Sequence, residues 1–461
     1  MGDRFSSTAL IRSVVSLFRI DRIRYAIVPV NRYNRPYQSY GRRGFLKTLT
    51  TLGVSASTAS VLTQDAVADV IDDPKREVPR IRAFRHTNHQ EVVEEGAKPE
   101  REPDIYSIPR WRWARVEAAH DARRQVEKQL DGNYPVWVTD DSNGEKKIVV
   151  EQFDDGNLRS ADVQALDKQV PSSVKGVAGQ GSMFGSLSRF TQEHDIPVTI
   201  ERTKIDPQDT FTNEFSANIS TSTTITSDLG DHFTYDYDSI PAGAGMWAAD
   251  SDCHPWAPLT TGFPVSHNGT KKMLTAGHGM NNSTIDRCWV DNKVSSTEDE
   301  DLLEDKVVLD WMDGGSWDPL DASRLNLGAG ANSVTYDFAD HSGGYEGISI
   351  WGGTSWDRIK DLQDGGPGQY GTIYQQGMTT GRDECSITYV NGRSFKTDLL
   401  GETDVKNGDS GGPIAEVRDE PWFGFRYAYG AGLVSSRNPN GDSYVFASGI
   451  PAIEQALRVT V

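Results

Sequence analysis

The chain has 461 residues, 36% of them hydrophobic, and a formal net charge of −19 from 66 acidic and 47 basic side chains. That length suits two domains with packed cores. A polyanionic chain repels phosphate backbones, which excludes nucleic acid as a partner, and its excess of carboxylates suits a halophilic protein. Three cysteines (Cys253, Cys288 and Cys385) are too few for a disulfide-built scaffold, and no run reaches the roughly 18 apolar residues of a membrane span.

Residues 1–68 read as an address. Arg42 and Arg43 precede Phe45-Leu46-Lys47, a moderately apolar stretch runs from Leu49 to Leu62, and Ala66-Val67-Ala68 offers a small-x-small cleavage pattern. The arrangement resembles the twin-arginine export signal, which implies a secreted or cell-surface protein. Residues 69–104 are charged and poor in apolar side chains, and are expected to be a linker.

Residues 105–210 predict a small α+β region. Trp113, Val116, Ala119, Ala122 and Val126 recur at helical spacing. Pro135–Val138 and Lys147–Glu151 flank a turn at Asp141–Gly144 and predict a hairpin. A helix is expected from Leu187, followed by a strand through Ile196–Ile200. This region carries no catalytic motif and reads as a pro-segment or an accessory domain. A Thr/Ser-rich connector follows over 211–239. From residue 240 to 461 short β-type runs alternate with glycine-rich turns, the signature of an all-β domain, and only the tail Ile450–Leu457 has a helical pattern.

The strongest chemical signal is Gly408-Asp409-Ser410-Gly411-Gly412-Pro413. A serine nucleophile needs its hydroxyl on a tight turn beside converging backbone N–H groups, and flanking glycines allow such a turn. No Gly-Lys-Ser/Thr is present, so a phosphate-binding loop does not fit. Upstream, Leu274-Thr275-Ala276-Gly277-His278 runs a strand end into small residues and then a base. A carboxylate is needed to hold the imidazole tautomer. Two candidates lie between His278 and Ser410: Asp321, which is preferred, and Asp337.

With these motifs, residues 240–461 resemble the chymotrypsin-like serine proteases, especially the bacterial streptogrisin and alpha-lytic branch. Gly408–Pro413 and Thr275–His278 match the family's serine and histidine motifs. Thr261–Val265, Thr379-Thr380-Gly381 and Gly432–Ser435 resemble further segments of that branch. The resemblance implies two Greek-key β-barrels with the cleft between them. It also implies an exported serine endopeptidase acting on protein or peptide substrates as a monomer, without cofactor or metal. Carried over by position, His278, Asp321 and Ser410 are the triad, and the Gly408 and Ser410 N–H groups form the oxyanion hole. Asp409 is a buried carboxylate that shapes the loop. Ser435 lies against substrate with its hydroxyl near the triad acid, and Asp404 is a candidate for selecting a basic side chain.

The family commonly has Cys directly after the histidine, where this chain has Gly279. A bridge from Cys253 to Cys288 could replace the usual one, leaving Cys385 free. Ser436-Arg437 follow Ser435 where the family has an aromatic residue or Gly and then Gly. This departure supports an alternative, a catalytically silent exported binding protein on the same scaffold. The family's bacterial branch is commonly made with a removable pro-region, so cleavage is expected between about 211 and 245, within the range of sizes usual for the remaining domain.

Overall fold

The computed structural model describes residues 77–461, apart from 155–158, 179–191, 205–232, 253–254, 282–283, 291–299, 310–319, 331–332, 366–371, 401–407, 421–424 and 438–443. The export segment, the helix expected from Leu187, most of the connector, Asp404 and Cys253 therefore lie outside the described residues. All described residues belong to one unit, Tyr40–Val461. None of their helices is long and apolar enough to cross a membrane.

The charged segment is not a linker beyond residue 76. It forms β1 (Glu77–His86), α1 (His89–Glu95) and β2 (Arg101–Pro109), with β1 and β2 antiparallel. Part of its charge is taken up by pairing, which composition cannot reveal: Arg82 meets Asp104, Arg85 meets Glu102 across the two strands, and Arg80 meets Glu117. Next come α2 (Arg110–Gln129), β3 (Val136–Asp140), β4 (Lys146–Asp154), α3 (Ser160–Gln169), β5 (Ser173–Val177) and β6 (Glu193–Lys204). The expected stripe of α2 is buried, and Ala119, Ala122 and Val126 pack on Val136, Val138, Ile148 and Val150. Asp141 closes the β3–β4 turn by accepting the Asn143 and Glu145 N–H groups at 2.8 and 2.9 Å.

The remaining strands form two barrels. The first uses β8 (Gly245–Asp250), β9 (Pro255–Thr260), β10 (Pro264–His267), β11 (Thr270–Thr275), β12 (Ile285–Trp289), β13 (Leu302–Leu309) and β14 (Ala322–Leu327), after a short β7 (Ser239–Ala242). β9 and β10 are halves of one run, so the hydrogen-bonded circuit reads β8, β9–β10, β11, β14, β13, β12 and back to β8, antiparallel throughout. Two connecting strands follow, β15 (Ser333–Phe338), parallel to β7, and β16 (Ile348–Thr354). The second barrel uses β17 (Thr372–Gly377), β18 (Gly381–Val390), β19 (Ser394–Leu399), β20 (Pro413–Glu420), β21 (Phe425–Arg437) and β22 (Tyr444–Gly449). Its circuit is β17, β18, β19, β22, β21, β20 and back to β17, again antiparallel throughout. Both circuits run first, second, third, sixth, fifth, fourth, so each places its fourth strand beside its first. That is a Greek key, and residues 240–461 have the two-barrel fold expected of them.

Each barrel has its own core. Met246, Leu259, Met273, Ile285 and Leu325 fill the first, while Ile373, Ile387, Phe395, Ile414 and Val445 fill the second. A third cluster, including Phe263, Leu274, Leu433 and Ile453, joins them. Cys288 and Cys385 are buried in different barrels, and Cys385 is a free thiol whose pKa burial pushes far up. The C-terminal helix is α5 (Ile450–Leu457), as the tail pattern predicts.

Helices α1 and α3 were not legible in the sequence, and within residues 240–461 neither was α4 (Trp356–Gly365). Its buried face includes charge: Arg358 on α4 is fully buried and reaches Glu416 of β20 at 2.6 and 3.0 Å and Asp361 at 2.9 Å. A periodicity search for apolar residues passes over such a face. Glu416→Ala removes the bidentate partner of a guanidinium with no access to water. We expect a loss of about 3–5 kcal/mol in urea titration, and a loss below about 1 kcal/mol, the value of an exposed pair, would mean that the pair is not buried in solution.

Candidate active site

His278 and Asp321 meet because their strands are neighbours. β11 and β14 pair with Thr275 opposite Ser323. The chain leaves β11 into a single 3₁₀ turn, His278–Met280, and Asp321 immediately precedes β14. The Asp321 carboxylate is fully buried and receives the His278 imidazole at 2.7 Å through Nδ1. Its other oxygen accepts the His278 backbone N–H at 2.7 Å. Two contacts to one residue hold both the position and the plane of the ring. With the proton on Nδ1 facing the carboxylate, Nε2 is left as the basic nitrogen.

The second barrel completes the surroundings of this carboxylate. The Ser435 hydroxyl of β21 donates to Asp321 Oδ2. The Asp321 N–H donates to Ser448 Oγ of β22 at 2.8 Å. Asp337, the other candidate acid, is elsewhere. Its carboxylate accepts the Phe338 and Ile348 N–H groups at 2.7 and 3.0 Å, and burial pushes its pKa up.

Ser410 sits on the turn before β20. Gly408 and Gly411 have φ of +102° and +89°, a region that side chains with a Cβ rarely enter. A Cβ on Gly411 would lie 2.3 Å from Thr275 Oγ1, 2.4 Å from the Thr260 carbonyl and 2.8 Å from the Ala276 nitrogen. The serine turn of the second barrel therefore presses directly on the backbone that leads to His278. Thr260 secures the approach from the first barrel. Its N–H donates to the Ser410 carbonyl at 2.8 Å, and its hydroxyl donates to the Gly408 carbonyl at 2.7 Å and accepts the Met378 N–H at 2.9 Å.

Asp409 turns away from the serine. It is fully buried and accepts the Thr379 and Thr380 N–H groups at 2.8 and 3.0 Å, in the space that a side chain at Gly377 would fill. The turn is tied to β21 by the Gly411 N–H to the Val434 carbonyl at 2.7 Å and the Val434 N–H to the Gly412 carbonyl at 2.8 Å. Ser435 thus follows directly on the segment that holds Ser410. Among the described residues the N–H groups of Gly408 and Ser410 have no intramolecular acceptor, and the Ser410 hydroxyl makes no hydrogen bond to His278. Such contacts are commonly long without substrate and tighten in the reacting complex.

Thr260 and Ser448 were not singled out in the sequence. Thr260 belongs to a Thr-Thr-Gly run at a strand end, a faint signal, and Ser448 carries none. Among the described residues no group of three His, Cys, Asp or Glu side chains is arranged to hold a metal.

No family model matches the chain, and no curated protein matches it in sequence. Solved structures that resemble it include protease A of Thermobifida fusca, at 15% identity over 48% of this chain and 97% of that one, with a TM-score of 0.31. A glutamic acid specific serine protease aligns at 16% identity over 48% of this chain and all of its own, also at 0.31. A chymotrypsin of Cellulomonas bogoriensis aligns at 18% identity over 48% and 97%, at 0.30. Likenesses this distant speak to neither the activity nor the substrate of the chain.

The contact at Gly411 is open to test. Gly411→Ala adds a methyl group where backbone and hydroxyl already crowd, and imposes an unfavourable φ. A loss of about 1–3 kcal/mol is expected in urea titration. An unchanged midpoint would show that the two barrels do not approach so closely.

Proposed function

We propose that the protein is an exported serine endopeptidase that hydrolyses peptide bonds through an acyl-enzyme on Ser410. The observation that carries this reading is the two-point hold of Asp321 on His278, in a buried site against which the glycine-flanked Ser410 turn is packed. A carboxylate buried at this position has a clear use: it fixes one imidazole tautomer and stabilises the imidazolium that forms when the base takes a proton.

In the reaction, Ser410 Oγ attacks the scissile carbonyl as His278 Nε2 accepts its proton. The N–H groups of Gly408 and Ser410 receive the developing oxyanion, for which their lack of an acceptor among the described residues suits them. His278 then protonates the leaving amine. A water molecule, deprotonated by the same nitrogen, releases the acyl group and regenerates Ser410. Ser435 holds Asp321 by its hydroxyl, and its strand is the expected support for the substrate backbone. Asp404 remains the candidate for selecting a basic side chain.

Ser410→Ala is expected to lower turnover on the order of a millionfold, and Asp321→Asn on the order of ten-thousandfold by favouring the wrong tautomer. Peptide cleavage and labelling by a fluorophosphonate are the measurements. The Ser436-Arg437 departure after Ser435 favours one competing reading, a silent binding protein on this scaffold. A folded chain that neither labels at Ser410 nor cleaves a peptide library in high salt would establish that reading instead.

Export by the twin-arginine route and stability in high salt complete the proposal. A cut between the N-terminal region and the barrels belongs within 211–232. The later part of the expected window is protected, since Phe233, Tyr237, Ile240 and Ala242 are buried and β7 is paired with β15. Mass spectrometry of the secreted protein should find either no cut in this region or new N-termini inside that span. An N-terminus within 239–245 would contradict the buried position of β7.

A further inference from the structure

Residues 77–204 are built into the barrels along three lines. First, β1 pairs with β16, Phe84 opposite Gly353 and Arg85 opposite Gly352, and β16 lies parallel to β21. A Cβ on Gly352 would lie 2.0 Å from the Phe84 carbonyl, so β1 is seated where only a glycine admits it. The Ser355 N–H adds a bond to the Arg82 carbonyl at 2.8 Å. Second, β3 joins β18 at Val138 and Val390. Thr139 Oγ1 donates to the Thr388 carbonyl at 2.8 Å, and Gln363 Nε2 spans the Val138 and Thr388 carbonyls at 2.5 and 2.8 Å. Third, Val92 of α1 is buried in the cluster that joins the barrels, and the Val93 carbonyl accepts Lys271 Nζ at 3.1 Å.

Charge is buried across this junction. Arg101 meets Glu454 at 2.7 Å, with side chains 1% and 4% exposed. Glu151 meets Lys396 at 2.8 Å, with side chains 3% and 6% exposed. The Lys396 ammonium also lies 5.1 Å from the Trp137 ring and 4.6 Å from the Phe446 ring. Loss of residues 77–204 would strip Glu454 and Lys396 of these counter-ions and uncover the side of Phe446 that packs on Trp137, a combination that strongly favours the attached state.

All three lines lie away from the reacting groups. β18 begins at Gly381, beside the Thr379–Thr380 turn that holds Asp409, whereas β3 joins it at Val390, about 30 Å along an extended strand. β16 pairs with residues 426–430 of β21, and Ser435 lies five residues further on, about 16 Å. Lys271 is near the start of β11, whose other end leads to His278.

We infer that residues 77–204 are a permanent part of the catalytic unit, clamping both barrels from behind and leaving the cleft open. A cut within 205–232 then gives two chains that stay together, not a free protease domain and a discarded segment.

The test uses the full Ser410→Ala chain with the recognition sequence of a site-specific endopeptidase inserted within 205–232. After cutting, both fragments should co-elute on size exclusion in native buffer and separate in urea. Lys396→Met should lower the urea concentration at which they separate. Elution of a folded C-terminal fragment alone in native buffer would overturn the inference. A second arm compares fluorophosphonate labelling of the wild-type barrels in the uncut chain and in the cut complex. Equal rates are expected, whereas a tenfold or greater rise on cutting would mean that the N-terminal region covers the cleft. That arm rests on the proposed role of Ser410. A chain that labels in neither form would sink the protease reading, and elution by itself would then decide whether the fragments stay together.

Discussion

A carboxylate with no access to water is tolerated only if protein groups replace its solvation, and Asp321 is such a carboxylate. Its replacements come from both barrels. The first contributes the His278 N–H and imidazole, and the second contributes the Ser435 hydroxyl, with Ser448 holding the Asp321 backbone. The residue therefore cannot be satisfied by one barrel alone. Its burial ties the orientation of the imidazole to the relative position of the two halves of the fold.

The serine side obeys the same logic through sterics. Gly411 lets the Ser410 turn approach Thr260, Thr275 and Ala276 at distances that exclude any side chain. Thr260 then bonds to both ends of the Gly408–Ser410 segment. Asp409 anchors the turn from beneath by capturing two N–H groups of the Thr379–Thr380 turn. The hydroxyl of Ser410 is thus positioned by its backbone, which suits the role proposed for it, that of a group exchanging partners during a reaction.

Charge is handled differently inside and outside. The chain is strongly acidic, yet the buried cations Arg101, Arg358 and Lys396 each face a buried carboxylate. One of these pairs joins the N-terminal region to helix α5, another joins it to the second barrel, and the third joins α4 to β20. Buried pairs of this kind add less to stability than apolar packing would, but they discriminate strongly against states in which one partner is missing.

The serine and histidine motifs were legible because their chemistry demands particular residues in sequence: glycines around Ser410, and small residues between the end of β11 and His278. The all-β texture of residues 240–461, helix α2, the β3–β4 hairpin and the C-terminal helix were legible for a related reason, since each is a local pattern of apolar spacing or turn chemistry. What joins distant parts of the chain was not. Place in the chain favours Asp321 over Asp337, but neither residue's neighbours say that it reaches the imidazole, and the pairing of β11 with β14 brings Asp321 there. Ser448 lies 127 residues from Asp321, and its contact exists only because β22 runs past the start of β14. The charged segment from Glu77 and the helix α4 were missed because their polar groups find partners in other elements. Composition counts a charge the same way whether water or a buried counter-ion surrounds it, and only the tertiary structure tells the two apart.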